Sequence, residues 1–247
     1  MNSANGVSVI IPCLGDEASL AHLLDQLRQA AVADGRPLQI IVVDAARSAA
    51  CRTLCHRHAA LWWPALPCRG TQLREGAAQA VHRILWFLHA DARLEGQPLA
   101  ALHRAIDDGA VGGYFAFRFA DRNAWQARLL EVGVDWRTRI GVPYGDQGLF
   151  ARRDAYLAAG QHAPWPLFEE VPLVQGLRAL GEFRRIARGL LVNPRRWQRD
   201  GWWRRSLRNR LLALGFTLGL APQRLARLYA GDKPTSVAPR RKPRRHS

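Results

Sequence analysis

The acidic side chains of this chain are spaced as though they serve one site. An apolar run, ILWFL over residues 84–88, stops abruptly at His89-Ala90-Asp91. Its length and composition read as a strand buried on both faces, the material of parallel sheets. Asp91 then stands at the carboxyl edge of the sheet, where open α/β proteins bind ligands. A carboxylate there suits a hard divalent cation. Three more acidic positions fall on the same presumed edge: Asp44 closing QIIVVD, Asp146 in the turn-rich loop GVPYGDQG, and Glu169-Glu170 opening a helix. Singly, each has a structural reading: Asp44 caps the following helix, Asp91 begins a turn, and the Glu pair complements a helix dipole. Together they describe a cleft able to hold a cation and take a proton.

The elements that must position these acids follow from periodicity. VSVIIP (residues 7–12) and QIIVVD (39–44) are short β-branched strands, with Leu20, Leu23, Leu24 and Leu27 forming a helical stripe between them. That is a βαβ unit with a right-handed crossover. Helices are expected over 45–60, 70–81 and 98–107, with strands at 84–88 and 114–119, giving a βαβαβαβ doubly wound, mostly parallel sheet. Beyond Asp121 a helix spans 125–139 and a short strand 149–152. Another helix stops at Gly160, one runs over 171–180, and a last strand with loop covers 184–193. From Trp197 the Trp/Arg mixture backed by residues 211–220 reads as one or two amphipathic helices.

The chain has 247 residues, enough to bury a sizeable core, and 48% are hydrophobic. Its net charge of +16 is localised: residues 1–183 balance 18 Lys and Arg against 18 Asp and Glu, and residues 184–247 hold the other 18 basic residues against Asp200 and Asp232 alone. A neutral body therefore carries a basic appendage, which divides the chain into 1–194, a basic amphipathic helical region 195–232, and a tail 233–247 expected to be disordered. The first apolar run is broken by Pro12 and lacks a basic leader, so it reads as a strand, and the longest C-terminal apolar stretch is about half the ~20 residues of a membrane span. A cytoplasmic protein with reduced thiols is expected. Cys51, Cys55, His56 and His58 suggest zinc, but the i, i+4 cysteines among Ala and Leu, with no second pair, read as helix residues.

The ordered blocks VSVIIP, IIVVD, FLHAD, GGYFAF, YGDQGLFAR and FEEVPL, with a late RRW, resemble the family 2 glycosyltransferases of the GT-A fold. They resemble most a bacterial subgroup with LHAD, GDQ and acidic-pair blocks. The resemblance runs over about residues 7–229 and implies a metal-dependent, inverting hexosyltransferase that moves a sugar from a nucleotide-diphosphate donor to an acceptor hydroxyl. It implies that Asp91 binds Mg2+ or Mn2+, and that Glu170, with Glu169 beside it, is the base in place of the usual Asp. Asp146 lies with the catalytic groups. Pro12, Asp44, Arg74, His89, Gln147, Arg196 and Trp197 fall on the donor side. His89 replaces the more usual first Asp; a neutral core His is its other reading, as plain basic surface is for Arg195 and Arg196.

The chain departs from that family pattern at three places. Ala45-Ala46-Arg47 replaces the glycines after Asp44, Arg74 replaces an Asn, and Glu170 replaces Asp. The first two leave open a catalytically degenerate GT-A-like binding protein. A nucleotidyltransferase is the other relative in chemistry, although it has no use for an acceptor base. The basic C-terminal region, with Trp202-Trp203-Arg204-Arg205 and the apolar residues behind it, suits a membrane surface or a lipid-linked acceptor. Nucleic acid would also attract this charge, but no binding motif for it accompanies the tail.

Overall fold

A computed structural model describes residues 5–230 of the chain. The predicted tail, 233–247, lies outside the described residues. A seven-stranded sheet holds the fold together, in the order β3-β2-β1-β4-β7-β6-β8. Its strands are β1 (Val7–Cys13), β2 (Leu38–Asp44), β3 (Leu61–Pro64), β4 (Ile84–Phe87), β6 (Gly112–Phe115), β7 (Phe150–Arg152) and β8 (Phe183–Ile186). A two-stranded ladder, β5 (Arg93–Leu94) with β9 (Leu190–Leu191), lies beside it.

Alternation along the central strands builds two cores. Val7, Val9 and Ile11 of β1, Ile40 and Val42 of β2, and Ile84 and Trp86 of β4 point to one face. There they meet the Leu20, Leu23, Leu24 and Leu27 stripe of α1 (Glu17–Asp34), α2 (Ala49–Arg57) and Leu99 and Leu102 of α4 (Pro98–Asp107). Ile10, Ile41, Val43, Leu85 and Phe87 point the other way. They pack on Leu73 and Ala77 of α3 (Arg69–Ala78), Tyr156 of α6 (Arg153–Ala158) and Leu173, Val174 and Leu177 of α7 (Glu170–Leu180). Strands apolar on both sides, with a helix layer on each, are the doubly wound pattern.

The sheet is mixed. β4 pairs antiparallel with β7, and β7 antiparallel with β6, while the remaining pairs are parallel. The reversal of β7 has a direct consequence: its first residue, not its last, lies at the carboxyl edge of β4. The GDQ loop just before β7 is thereby delivered beside Asp91.

Local differences from the expected elements have local causes. The helix expected from 45 begins at Ala49, because Ser48 caps it, its hydroxyl accepting from Cys51 N at 3.0 Å. Strand β3 is a four-residue edge strand ending in Pro64, too short for periodicity to announce. The strand expected over 114–119 pairs as β6 only to Phe115; the next residues keep their alternation, placing Phe117 and Phe119 in a small third core with Ala127 and Leu130 of α5 (Trp125–Ile140). The C-terminal region folds as α8 (Arg195–Asp200), α9 (Trp202–Thr217) and α10 (Pro222–Ala230). Leu212 and Leu225 from this region bury against Phe168. Among the described residues no helix is long and apolar enough to cross a membrane.

Gly113 marks the tightest strand contact, since a Cβ there would stand 2.0 Å from Arg184 O and 2.6 Å from Phe150 Cζ. Gly113→Ala should cost about 3 kcal/mol or more and lower the melting temperature by about 6–12 °C. An unchanged melt would contradict the β6–β8 pairing.

Candidate active site

Four of the acidic residues converge as the sequence led one to expect. The carboxyl end of β4, the GDQ loop, the start of α3 and the start of α7 enclose an open cavity of about 150 Å³, walled on the far side by α8, α9 and α10. Asp91, His89, Asp146, Glu170, Arg196 and Trp197 line it. Glu169 is buried directly behind, on the same arginine as Glu170.

That arginine, Arg69, organises the floor. Its Nε donates to Glu169 Oε1, its Nη2 lies 3.7 Å from Glu170 Oε2, and its Nη1 lies 3.4 Å from His89 Nε2. Burial alone would lower its pKa, but the carboxylates of Glu169 and Glu170 outweigh that and raise it, so Arg69 is a permanent cation. The same burial, followed by the charges of Arg69 and Arg196, holds His89 well below the ordinary histidine value. His89 is thus a neutral imidazole with a lone pair to offer.

Glu170 is the most perturbed carboxyl of the site. Burial first, and the negative charge of Glu169 second, push it up to about 8 against the pull of Arg69. Its Oε1 accepts from Gly145 N at 3.3 Å. Its Oε2 is buried and has no hydrogen-bond partner, as is Glu169 Oε2. Two buried carboxylates on one arginine are costly to ionise together, which is why Glu170 holds its proton. The residue before the pair carries strain: Phe168 has φ +61°, a left-handed conformation that a bulky side chain adopts only when its surroundings impose it. Its ring stacks on Phe216 of α9, 4.8 Å away.

The loop carrying Asp146 is pinned from below. Gln147 Nε2 donates to Phe115 O at 3.2 Å, Trp86 Nε1 donates to Gly148 O at 3.2 Å, and Gly148 turns the chain with φ +56°. Burial raises the Asp146 carboxyl, opposed by Arg137 and Arg69. Tyr144 spreads its ring beneath the Arg137 guanidinium, 4.3 Å away.

Several expected residues have other duties. Asp44 is fully buried, accepting from Ala46 N at 2.9 Å, Ser48 N at 2.8 Å and Trp62 Nε1 at 3.2 Å. Its oxygens are committed to the β2–α2 turn, while the cap of α2 itself is Ser48. Gln147 is likewise spent on the backbone. Pro12 sits within the β1–β2 ladder opposite Val43, and Arg74 is absent from the cavity lining, its charge falling near Tyr156. Of the RRW block, Arg195 bridges Asp16 at 2.6 Å and Asp91 at 3.4 Å, and Arg196 approaches Asp91 at 4.0 Å. Trp197 stands edge-on to Phe119 at 5.1 Å. The pair of arginines therefore faces the site's carboxylate and is not plain basic surface.

Sequence reasoning missed Arg69, Tyr144, Arg205 and Tyr229, all of which line the cavity. Arg205 is buried, donating to Asp200 Oδ2 at 2.7 Å and Tyr229 Oη at 2.8 Å, so it ties α8, α9 and α10 into one wall.

The donor set is compatible with a shared cation. Among the described residues no group of three His, Cys, Asp or Glu side chains could hold an ion unaided. Asp91 and the neutral His89 instead offer the few protein ligands that Mg2+ or Mn2+ takes when a substrate diphosphate supplies others.

The fold, a mostly parallel sheet with a helix layer on each face, is of the GT-A type. The chain belongs to glycosyl transferase family 2, whose sequence model it matches over residues 8–153. No curated protein sequence matches the chain. Among solved structures it is similar to the mannosyltransferase PcManGT of Pyrobaculum calidifontis in complex with GDP-Man and Mn2+ (TM-score 0.53, 17% identity, 73% of this chain and 54% of that one). It is similar also to S. aureus TarS 1-349 in complex with UDP (0.55, 12%, 76% and 60%). A third is the glucosyl-3-phosphoglycerate synthase of Mycobacterium tuberculosis with Mn2+, UDP and glucosyl-3-phosphoglycerate (0.53, 16%, 75% and 71%). The chain spans between half and two thirds of the length of the first two.

Proposed function

We propose that this glycosyltransferase moves a hexose from a nucleotide-diphosphate donor to an acceptor hydroxyl, with Mg2+ or Mn2+ and with inversion at the anomeric carbon. The observation that carries the reading is Glu170, whose Oε2 has no hydrogen-bond partner, on the wall of a cavity that also holds Asp91 and three arginines, Arg69, Arg196 and Arg205. The acceptor O–H donates to Glu170 Oε2 and its oxygen attacks the anomeric carbon as the bond to the diphosphate breaks. The proton ends on Glu170 and the electron pair leaves with the nucleoside diphosphate. Glu169, fixed by Arg69, keeps the Glu170 carboxyl basic by its charge, while Arg69 keeps both glutamates folded inward. Asp91 and His89 are the residues that would hold the cation, which neutralises the leaving diphosphate when bound. Arg196 adds a fixed positive charge on the same side.

An apolar cavity supports an acceptor with an apolar portion, the lipid-linked class. Phe117, Phe119, Leu130, Val134 and Trp197 line it, and it shares Tyr144, Asp146 and Asn209 with the main site. A degenerate binding protein is disfavoured by the orphaned glutamates, which destabilise the fold and serve no purpose without an incoming hydroxyl.

Slow transfer to water tests the stereochemistry without knowing the acceptor. Incubated with α-linked nucleotide-diphosphate hexoses and Mn2+, the protein should release the β-anomer first, as read by proton NMR. Initial α-anomer would overturn inversion.

A further inference from the structure

We propose that α5 and α9 form a platform that seats the protein on an anionic lipid bilayer. Five large apolar side chains of α5, Trp125, Leu129, Val132, Trp136 and Ile140, are each 53–74% exposed. Their steps of four, three, four and four residues place them on one helix face. On α9 the residues Trp203, Leu207, Leu211 and Leu214, with Leu218 at its C-cap, repeat the pattern, with steps of four, four, three and four and exposures of 51–75%.

The two stripes lie side by side and run the same way. At their leading ends the rings of Trp125 and Trp203 are 6.0 Å apart. Further along, a Cβ on Gly133 would stand 3.9 Å from Arg210 Nη2. The result is one patch of ten exposed apolar side chains about 24 Å long, more than a soluble monomer ordinarily leaves open. The sequence points to a membrane surface at Trp202 to Arg205 and the apolar residues 211–220. Trp202 packs edge-on to Phe119 at 5.2 Å and Arg205 is buried, so Trp203 and Arg204 are the exposed members of that block. The α5 stripe adds to them.

Charge selects the occupant. Residues 195–230 hold nine arginines against Asp200 alone, and Arg204, Arg210, Arg224 and Arg227 are exposed. Exposed Arg128 and Arg139 add to the rim on α5. A second copy of the chain would bring two such positive rims together, whereas anionic headgroups neutralise them. Residues 231–247 contain only Val237 and Ala238 as aliphatic side chains apart from prolines, too few to cover ten. Tryptophan and arginine around a leucine stripe are the residue types that favour the headgroup boundary. The apolar cavity of the acceptor side lies between these same two helices, so a bilayer there would present lipid beside the site.

Flotation of the full chain with vesicles tests this without any donor, so its failure is separable from failure of the sugar-transfer reading. The wild type should float with vesicles of phosphatidylcholine and phosphatidylglycerol in equal parts, and much less with phosphatidylcholine alone. The double variant Trp136→Gln/Leu211→Gln, altered only at exposed positions, should partition about tenfold more weakly while keeping its melting temperature. Three results would overturn the proposal: no flotation of the wild type at low salt, flotation untouched by the double substitution, or a wild-type dimer that the substitution converts to monomer.

Discussion

Replacing Glu170 with Gln should cut sugar transfer by about 10²–10⁴-fold, the usual worth of a positioned general base, and leave donor binding intact. The amide fits the same space and can still accept from Gly145 N, but it cannot take a proton. Because burial and Glu169 hold the Glu170 carboxyl up to about 8 in the free protein, kcat/KM of the wild type should rise with pH and level off near that value. The same shift fixes a stability signature. Glu170 binds its proton more tightly folded than unfolded, so its stabilising contribution is complete below its unfolded pKa of about 4.3 and fades as pH rises through about 8. The wild type should therefore lose stability between pH 5 and pH 9 by on the order of a few kcal/mol more than Glu170→Gln. Parallel melting curves for the two proteins and a pH profile of kcat/KM check both halves. A fully active Glu170→Gln protein would remove the residue from the base role.

Asp91→Asn should weaken Mn2+-dependent donor binding by at least about 10–100-fold, the loss that even residues behind a metal ligand produce. The fold should survive, because Arg195 keeps its 2.6 Å bridge to Asp16 when Asp91 loses its charge. Titration calorimetry with and without Mn2+ separates the two contributions: the substitution should abolish the metal-dependent increment and spare whatever affinity remains without metal. Equal increments in the two proteins would exclude Asp91 as the cation's ligand.

Asp91, Asp146 and the Glu169-Glu170 pair were legible because strand ends and helix starts are readable, and a parallel sheet collects such ends on one edge. Their union also depended on something no local pattern reveals, the antiparallel direction of β7, which turns the GDQ loop toward Asp91. Asp44 shows the opposite limit. A strand-terminal acid facing a ligand and one absorbed by three neighbouring donors have the same sequence, and only the placement of Trp62 on an edge strand separates them. Arg69 had no motif, since its carboxylate partner Glu169 lies 100 residues away. One signal was available: a cation as the first residue of a helix opposes the helix dipole, and such a residue needs a compensating acid. The exposed stripe of α5 was written plainly in its spacing, but an apolar stripe on a helix ordinarily reads as a core face, and only burial shows that it is not.

The central claim is that this cavity takes a nucleotide-diphosphate sugar through a cation on Asp91. Thermal denaturation against a panel of UDP- and GDP-sugars, each with and without Mn2+, tests it most directly. At least one donor should raise the melting temperature by several degrees only when Mn2+ is present, and that shift should vanish in Asp91→Asn. A panel in which no donor shifts the melt, or one in which the shift ignores both Mn2+ and Asp91, would contradict the account.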